Sequence, residues 1–215
     1  MRTIPVALLL AFLAACTTLT DTADPASDAP EGQRHVTAFK DAATYSQALR
    51  LWQTPEDVNA WMGARFHYDM PRAMLLSENQ RSKSGPLPIY QPHEFFTAPS
   101  GICVDLSRFA VETLRQISPQ LKANYLMIEF APVTVGGNTL RMHWLATFTR
   151  DGKHYFFADS KRPGHIAGPY VSAQEFIAAY SVYRGRSVVA FRELESYQRR
   201  QRTMAPRQSR EERRP

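Results

Sequence analysis

Hydrophobic and polar positions along this chain follow two periods, and the change between them falls at Ser118-Pro119. Upstream the spacing is helical. Residues 39–52 carry enough apolar spacing for a short helix. Thr54-Pro55-Glu56-Asp57 then supplies an N-cap hydroxyl, a proline at the first helical position and an acid at the third, which together predict a helix start. Val58, Trp61, Met62 and Phe66 recur at helical spacing and predict a buried face. From 69 to 99, prolines and polar residues predict irregular connections with one short helix. A second helix is expected to start at Ser100 or Gly101 and to end at Ser118-Pro119. Its apolar stripe is Leu106, Phe109, Ala110, Thr113 and Ile117; Asp105, Arg108, Glu112 and Arg115 line its polar side.

Downstream the runs shorten and turn aliphatic and aromatic. Strands are expected over 123–131, 140–149 and 153–159, the first two joined at Gly136-Gly137-Asn138. A helix over 172–180 and a short strand over 186–191 complete the pattern. Helices first and antiparallel strands afterwards predict an α+β fold.

The two ends have a different character. Arg2 precedes an apolar run from Ile4 to Ala15, too short for a bilayer span but suited to a signal-peptide core. Leu13-Ala14-Ala15-Cys16 resembles the lipobox of bacterial lipoproteins. The resemblance implies cleavage of 1–15 and acylation of Cys16, and several chains on one residue would give stable membrane anchoring. Thr17, where an Asp is associated with inner-membrane retention, implies an outer-membrane lipoprotein facing the periplasm. Residues 16–33, rich in Thr, Asp, Ala and Pro, read as the lipidated cysteine and a flexible tether. Residues 34–197 form the expected domain. Residues 198–215 read as an Arg-rich disordered tail, with attraction to anionic surfaces as its sharper reading.

Composition narrows the function. Hydrophobic residues make up 44% and charged residues 21%, a globular balance. The formal net charge of +6 is uneven: 34–197 carries 18 Lys and Arg against 14 Asp and Glu, while 198–215 carries 7 Arg against 2 Glu. A uniformly basic nucleic-acid-binding face is therefore not expected. Two cysteines are too few for a disulfide framework, and neither paired CxxC nor HExxH is present, so no metal or other cofactor is expected.

With Cys16 assigned to the anchor, Cys103 stands alone. It falls in the first turn of the second predicted helix, where free N–H groups and the helix dipole favour a thiolate. Leu106 and Ala110 follow at +3 and +7, so the sulfur is expected on the packed side, towards the strands; the competing reading is a structural cysteine. His143 is mid-strand. Arg150-Asp151-Gly152 reads as a three-residue hairpin loop closed by a left-handed Gly152, a register that sets His143 opposite Asp159. A two-residue loop at Asp151-Gly152 would instead put Asp159 on the other face. Trp144 reads either as a shield for the imidazole or as core. His35, His67, His93, His154 and His165 read as structural or surface residues, and Asp105 as a first-turn acid.

In chain order, Gly101-x-Cys103-x-Asp105, His143-Trp144 and Asp159-Ser160 resemble the transglutaminase-like superfamily of cysteine enzymes. The resemblance spans roughly 54–191, with Ser107 where relatives often carry Ala. It implies a papain-like fold, with the nucleophile helix packed on an antiparallel sheet. It further implies Cys103 as nucleophile, His143 as general base and acid, and Asp159 as the orienting carboxylate. The Cys103 backbone N–H is one oxyanion donor, with Tyr90 and Gln91 as candidates for the second. The expected function is a membrane-anchored cysteine hydrolase or acyl-transfer enzyme. It would act on peptide or side-chain amides of a protein or peptide substrate through a thioester, as protease or amidase rather than cross-linking transglutaminase. The alternative is a non-catalytic binding or assembly module at the membrane; a thioester-dependent acyltransferase normally needs a larger chain.

Overall fold

A computed structural model describes residues 40–80 and 87–198. The expected signal segment, Cys16, the expected tether, His35 and the Arg-rich stretch beyond Gln198 lie outside the described residues.

The chain is α+β around a five-stranded antiparallel sheet. Helices α1 (Tyr45–Leu51) and α2 (Pro55–Arg65) come first. The predicted start of α2 is present in full: Thr54 accepts from the Asp57 N–H, and the Asp57 carboxylate accepts back from the Thr54 N–H. Strand β1 (His67–Tyr68) and helix α3 (Met70–Leu75) come next, then α4 (Pro92–Thr97) and β2 (Ser100–Gly101), which pairs in parallel with β1. The stretch read as irregular with one short helix thus holds at least these two, α3 and α4, among its described residues. Both begin on a cap followed by a first-turn proline, at Asp69 and Gln91.

Helix α5 (Cys103–Ile117) starts two to three residues later than expected, because Ser100 and Gly101 are tied to β1. A 3-10 turn (Pro119–Leu121) leads to the sheet strands β3 (Asn124–Val135), β4 (Asn138–Arg150), β5 (Lys153–Phe157) and β6 (Ala167–Tyr170). Helix α6 (Ala173–Arg184) and strand β7 (Val188–Leu194) close the order. The spatial order is β6-β5-β4-β3-β7. The β4–β5 connection corrects the expected three-residue loop. Asp151 (φ 51) and Gly152 (φ 69) are both left-handed, and Arg150 pairs with Lys153, as in a two-residue primed turn whose twist matches the strands it joins.

Both faces of the sheet are covered. On one, α5 presents Leu106, Phe109, Ala110 and Leu114 to Tyr125, Ala146, Phe148 and Phe157. Trp52, Trp61, Phe66 and Phe95 from the preceding elements close over Phe109, with Trp61 stacked 4.9 Å from Phe96. On the other face, α6 sets Phe176 and Tyr180 against Leu126, Ile128, Phe130, Leu145 and Phe156, with Phe176 stacked 3.9 Å from Phe156. Each buried Leu, Ile or Phe among these stabilises the fold by about 1.5–3 kcal/mol. In β4 the residues Leu145, Ala146, Thr147 and Phe148 are all buried, since neighbours facing opposite ways are covered equally.

Candidate functional site

Cys103 is the first residue of α5, and the start of that helix is held unusually firmly. Asp105, fully buried, accepts two hydrogen bonds from Arg72, Nε to Oδ2 at 2.8 Å and Nη2 to Oδ1 at 2.9 Å. It also accepts from the N–H of Ile102 (3.1 Å) and of Tyr90 (3.0 Å). Gly101 permits the approach, since a Cβ there would lie 3.0 Å from Asp105 and from Phe95. Arg72 also donates to the Pro88 carbonyl and lies 3.9 Å over the Tyr90 ring. Arg108 donates to the Ile89 carbonyl at 2.8 Å and to Gln91 Oε1 at 2.5 Å. Asp105 and Arg108, assigned to a polar side from their spacing, are buried and fasten 89–91 onto the helix.

The backbone N–H of both candidate second oxyanion donors is already engaged: that of Tyr90 is given to Asp105 and that of Gln91 to Glu94, while Gln91 Oε1 accepts from Arg108. Neither residue lines the cavity beside Cys103.

That cavity, about 160 Å³, lies between α3, the start of α5 and strand β4. Its walls are mainly apolar: Met70, Met74, Met142, Leu140, Ile102 and Trp144 surround the buried thiol. At its rim Arg141 pairs with Glu78 and with Glu129, the latter at 3.1 Å. No histidine lines it. Trp144 is therefore a wall of the cysteine cleft and shields no imidazole.

His143 lies on the other face. It pairs across β3 with Ile128, stacks on Tyr180 of α6 at 6.0 Å and contacts Phe130, all members or neighbours of the α6-side core. Met142 and Trp144, its neighbours in β4, point to the α5 side with Cys103. Of the three residues expected to form a triad, the structure joins His143 and Asp159 and sets Cys103 across the sheet from them.

The His143–Asp159 contact forms by a route different from the one expected. With the two-residue turn, continued pairing would carry Asp159 to the α5 face. Instead β5 ends at Phe157, and Ala158 adopts a left-handed φ of 60 that re-aims the next side chain. Asp159 Oδ1 then meets His143 Nε2 at 3.3 Å and accepts from the Lys161 N–H at 3.0 Å. Burial pushes the Asp159 carboxyl up. The His143 hydrogen bond and charge, Arg184 and the Lys161 N–H outweigh it and hold the group below the usual carboxylate range. Arg184 donates to the Tyr180 hydroxyl at 2.9 Å, so α6 carries a cation to this acid.

Arg72, Tyr180 and Arg184 have no place in the motif reading. For Arg72 a partial signal existed, since Asp69 and Pro71 mark a helix start that carries it. For Tyr180 and Arg184 none did, because their role depends on which face α6 covers. Of the remaining histidines, His67 and His93 are exposed and His154 and His165 half-buried, away from the cleft. No family profile matches the chain, and no curated protein matches its sequence.

Proposed function

We propose that this domain is a non-catalytic binding module of the cell envelope, whose apolar cleft beside Cys103 receives an apolar group of a protein or peptide partner. The observation that carries the proposal is the separation of Cys103 from His143 by the sheet. A nucleophile needs its base within hydrogen-bond reach, or one water away. Here the thiol sits among methionines, Leu140 and Trp144, and the imidazole among Phe130, Tyr180 and Asp159. Methionines on a cleft wall suit an adaptable binding surface, being unbranched and polarizable. The envelope location and outer-membrane anchoring rest on the lipobox resemblance around Cys16.

The second reading is the membrane-anchored cysteine hydrolase with a papain-like, transglutaminase-like core. Two observations favour it: the three motifs in order, and a cysteine opening a helix packed on an antiparallel sheet. It requires β4 to present His143 to the opposite face, which would move Met142 and Trp144 out of the cleft.

Alkylation of Cys103 across pH, in the wild type beside Asp159→Asn and His143→Ala, separates the two. The binding reading expects the same pH profile of labelling in all three, because neither His143 nor Asp159 reaches the thiol. A wild-type profile that extends to lower pH than that of Asp159→Asn, while thermal melting shows the variant folded, would favour the hydrolase. A direct check on the cleft is 8-anilinonaphthalene-1-sulfonate fluorescence, expected to fall in Met142→Glu.

A further inference from the structure

Sulfur is concentrated at one place in this fold. Of the seven methionines in the chain, five fall among the described residues: Met62, Met70, Met74, Met127 and Met142. Met62 is buried in the core on the α5 side. Met70, Met74 and Met142 line the cleft of about 160 Å³ together with Cys103, and Met127 shares the adjoining cavity with Met142. Leucine would fill such walls equally well. What methionine adds is a polarizable thioether.

The elements that carry these sulfurs are clamped to one another. Met70 and Met74 stand four residues apart on α3, so one face of that helix carries both. The residue before Met70 is tied to the turn that leads into Cys103, since the Asp69 N–H donates to the Gly101 carbonyl at 2.9 Å. Arg72, between the two methionines, holds Asp105 two residues after the cysteine. Met74 and Trp144 both pack against the cluster of Ala73, Ile102 and Val104 that brackets Cys103. Strand β4 adds Met142. Four sulfur side chains from three elements therefore meet at one cavity whose walls are fixed before any ligand arrives.

Thiolate and thioether donors are soft and suit Cu(I), whereas carboxylate, carbonyl and water suit Mg(II) and Ca(II). No histidine lines the cleft, and its one carboxylate, Glu78, is paired with Arg141 at the rim. Among the described residues no group of three His, Cys, Asp or Glu is placed to hold a metal, so the donors here are of another kind. Charge selects in the same direction. A divalent ion on a single thiolate would leave a net positive charge in an apolar cleft, which is costly to desolvate, while Cu(I) on one thiolate is neutral.

We propose that Cys103, Met70, Met74 and Met142 form a Cu(I) site, with the thiolate bonded to the ion and the thioethers completing a sulfur shell. Binding exchanges the thiol proton for the ion: the S–H bond breaks, one S–Cu bond forms, the proton goes to solvent, and copper stays monovalent throughout. The site goes beyond the reading of the cleft as a receptor for an apolar group, and ion and apolar group would compete for the same space.

The test uses the full chain with Cys16→Ser, leaving Cys103 as the sole thiol, titrated without oxygen against the Cu(I) complex of bicinchoninate. This chain should withdraw one Cu(I), and Cys103→Ala should abolish the withdrawal. Met74→Leu combined with Met142→Leu keeps the apolar volume, so it should leave thermal melting unchanged while weakening the affinity at least ~10-fold. Each unit of falling pH should weaken binding by up to about tenfold, one proton for one ion. X-ray absorption at the copper edge should show sulfur neighbours alone. No withdrawal by the Cys16→Ser chain would overturn the proposal. Equal affinity in the Met74→Leu, Met142→Leu chain would overturn it too, since a thiol would then bind copper by itself, and so would nitrogen or oxygen in the copper shell. None of these outcomes touches the apolar reading, whose own measurement, the fluorescence of Met142→Glu, is made without metal.

Discussion

Arg72 and Asp105 form a buried bidentate pair 33 residues apart in sequence, and it fixes the turn of chain from which Cys103 projects. Four groups converge on that carboxylate: two guanidinium N–H and the backbone amides of Ile102 and Tyr90. Removing one side leaves the other charge buried without its counterpart. Arg72→Ala should lower stability by about 3–5 kcal/mol, read as a fall in denaturant midpoint. Arg72→Lys should recover only part, since an ammonium lacks the two-pronged geometry. Full recovery by lysine would mean that charge alone matters.

The His143–Asp159 pair makes a pH prediction with a definite sign. The Asp159 carboxyl titrates below its ordinary value in the folded chain. Its contribution is therefore complete above the usual carboxylate range and is lost as pH falls through the folded value, so the loss begins below about pH 4. Asp159→Asn should flatten that acid limb in an unfolding series while lowering stability at neutral pH. An unchanged acid limb would show that other carboxylates dominate it.

Two glycines with left-handed backbone separate conformational cost from steric cost. Gly152 (φ +69) has open space where a Cβ would stand, so Gly152→Ala should cost about 1–2 kcal/mol, for the backbone alone. At Gly168 (φ +138) a Cβ would meet Tyr155 Cδ1 at 2.7 Å and the His154 carbonyl oxygen at 2.9 Å. Gly168→Ala should therefore lose a further ~1–3 kcal/mol from overpacking. Thermal melts of the two variants side by side give the ordering; equal shifts would contradict the steric argument.

The capping box of α2 is a local device and should behave as one. Thr54→Ala removes the oxygen that accepts from the Asp57 N–H and should cost about 1 kcal/mol, with the slope of the denaturation curve unchanged. A markedly larger loss would mean that Thr54 supports more than its own helix.

The parts of this protein legible in the sequence are those decided within a few residues. Thr54-Pro55-Glu56-Asp57 specified a cap because its bonds close over three positions, and all of them are present. The stripe of Leu106, Phe109 and Ala110 marked the buried face of α5, and the aliphatic runs after Pro119 marked the strands. The length of the β4–β5 turn was less legible, since Asp151-Gly152 suits both a two- and a three-residue loop.

Which face of the sheet each side chain joins was decided by tertiary structure alone. Strand geometry requires His143 and Trp144 to point opposite ways, but only the docking of α5 on one side and α6 on the other says which of them meets Cys103. Hydrophobic alternation, the usual guide, is silent here because β4 is buried on both faces. The left-handed Ala158 that turns Asp159 towards His143 is likewise a long-range result, since no local rule favours alanine there. The sequence determined the elements and the chemical groups they carry. The packing of two helices against opposite sides of one sheet determined which of those groups meet.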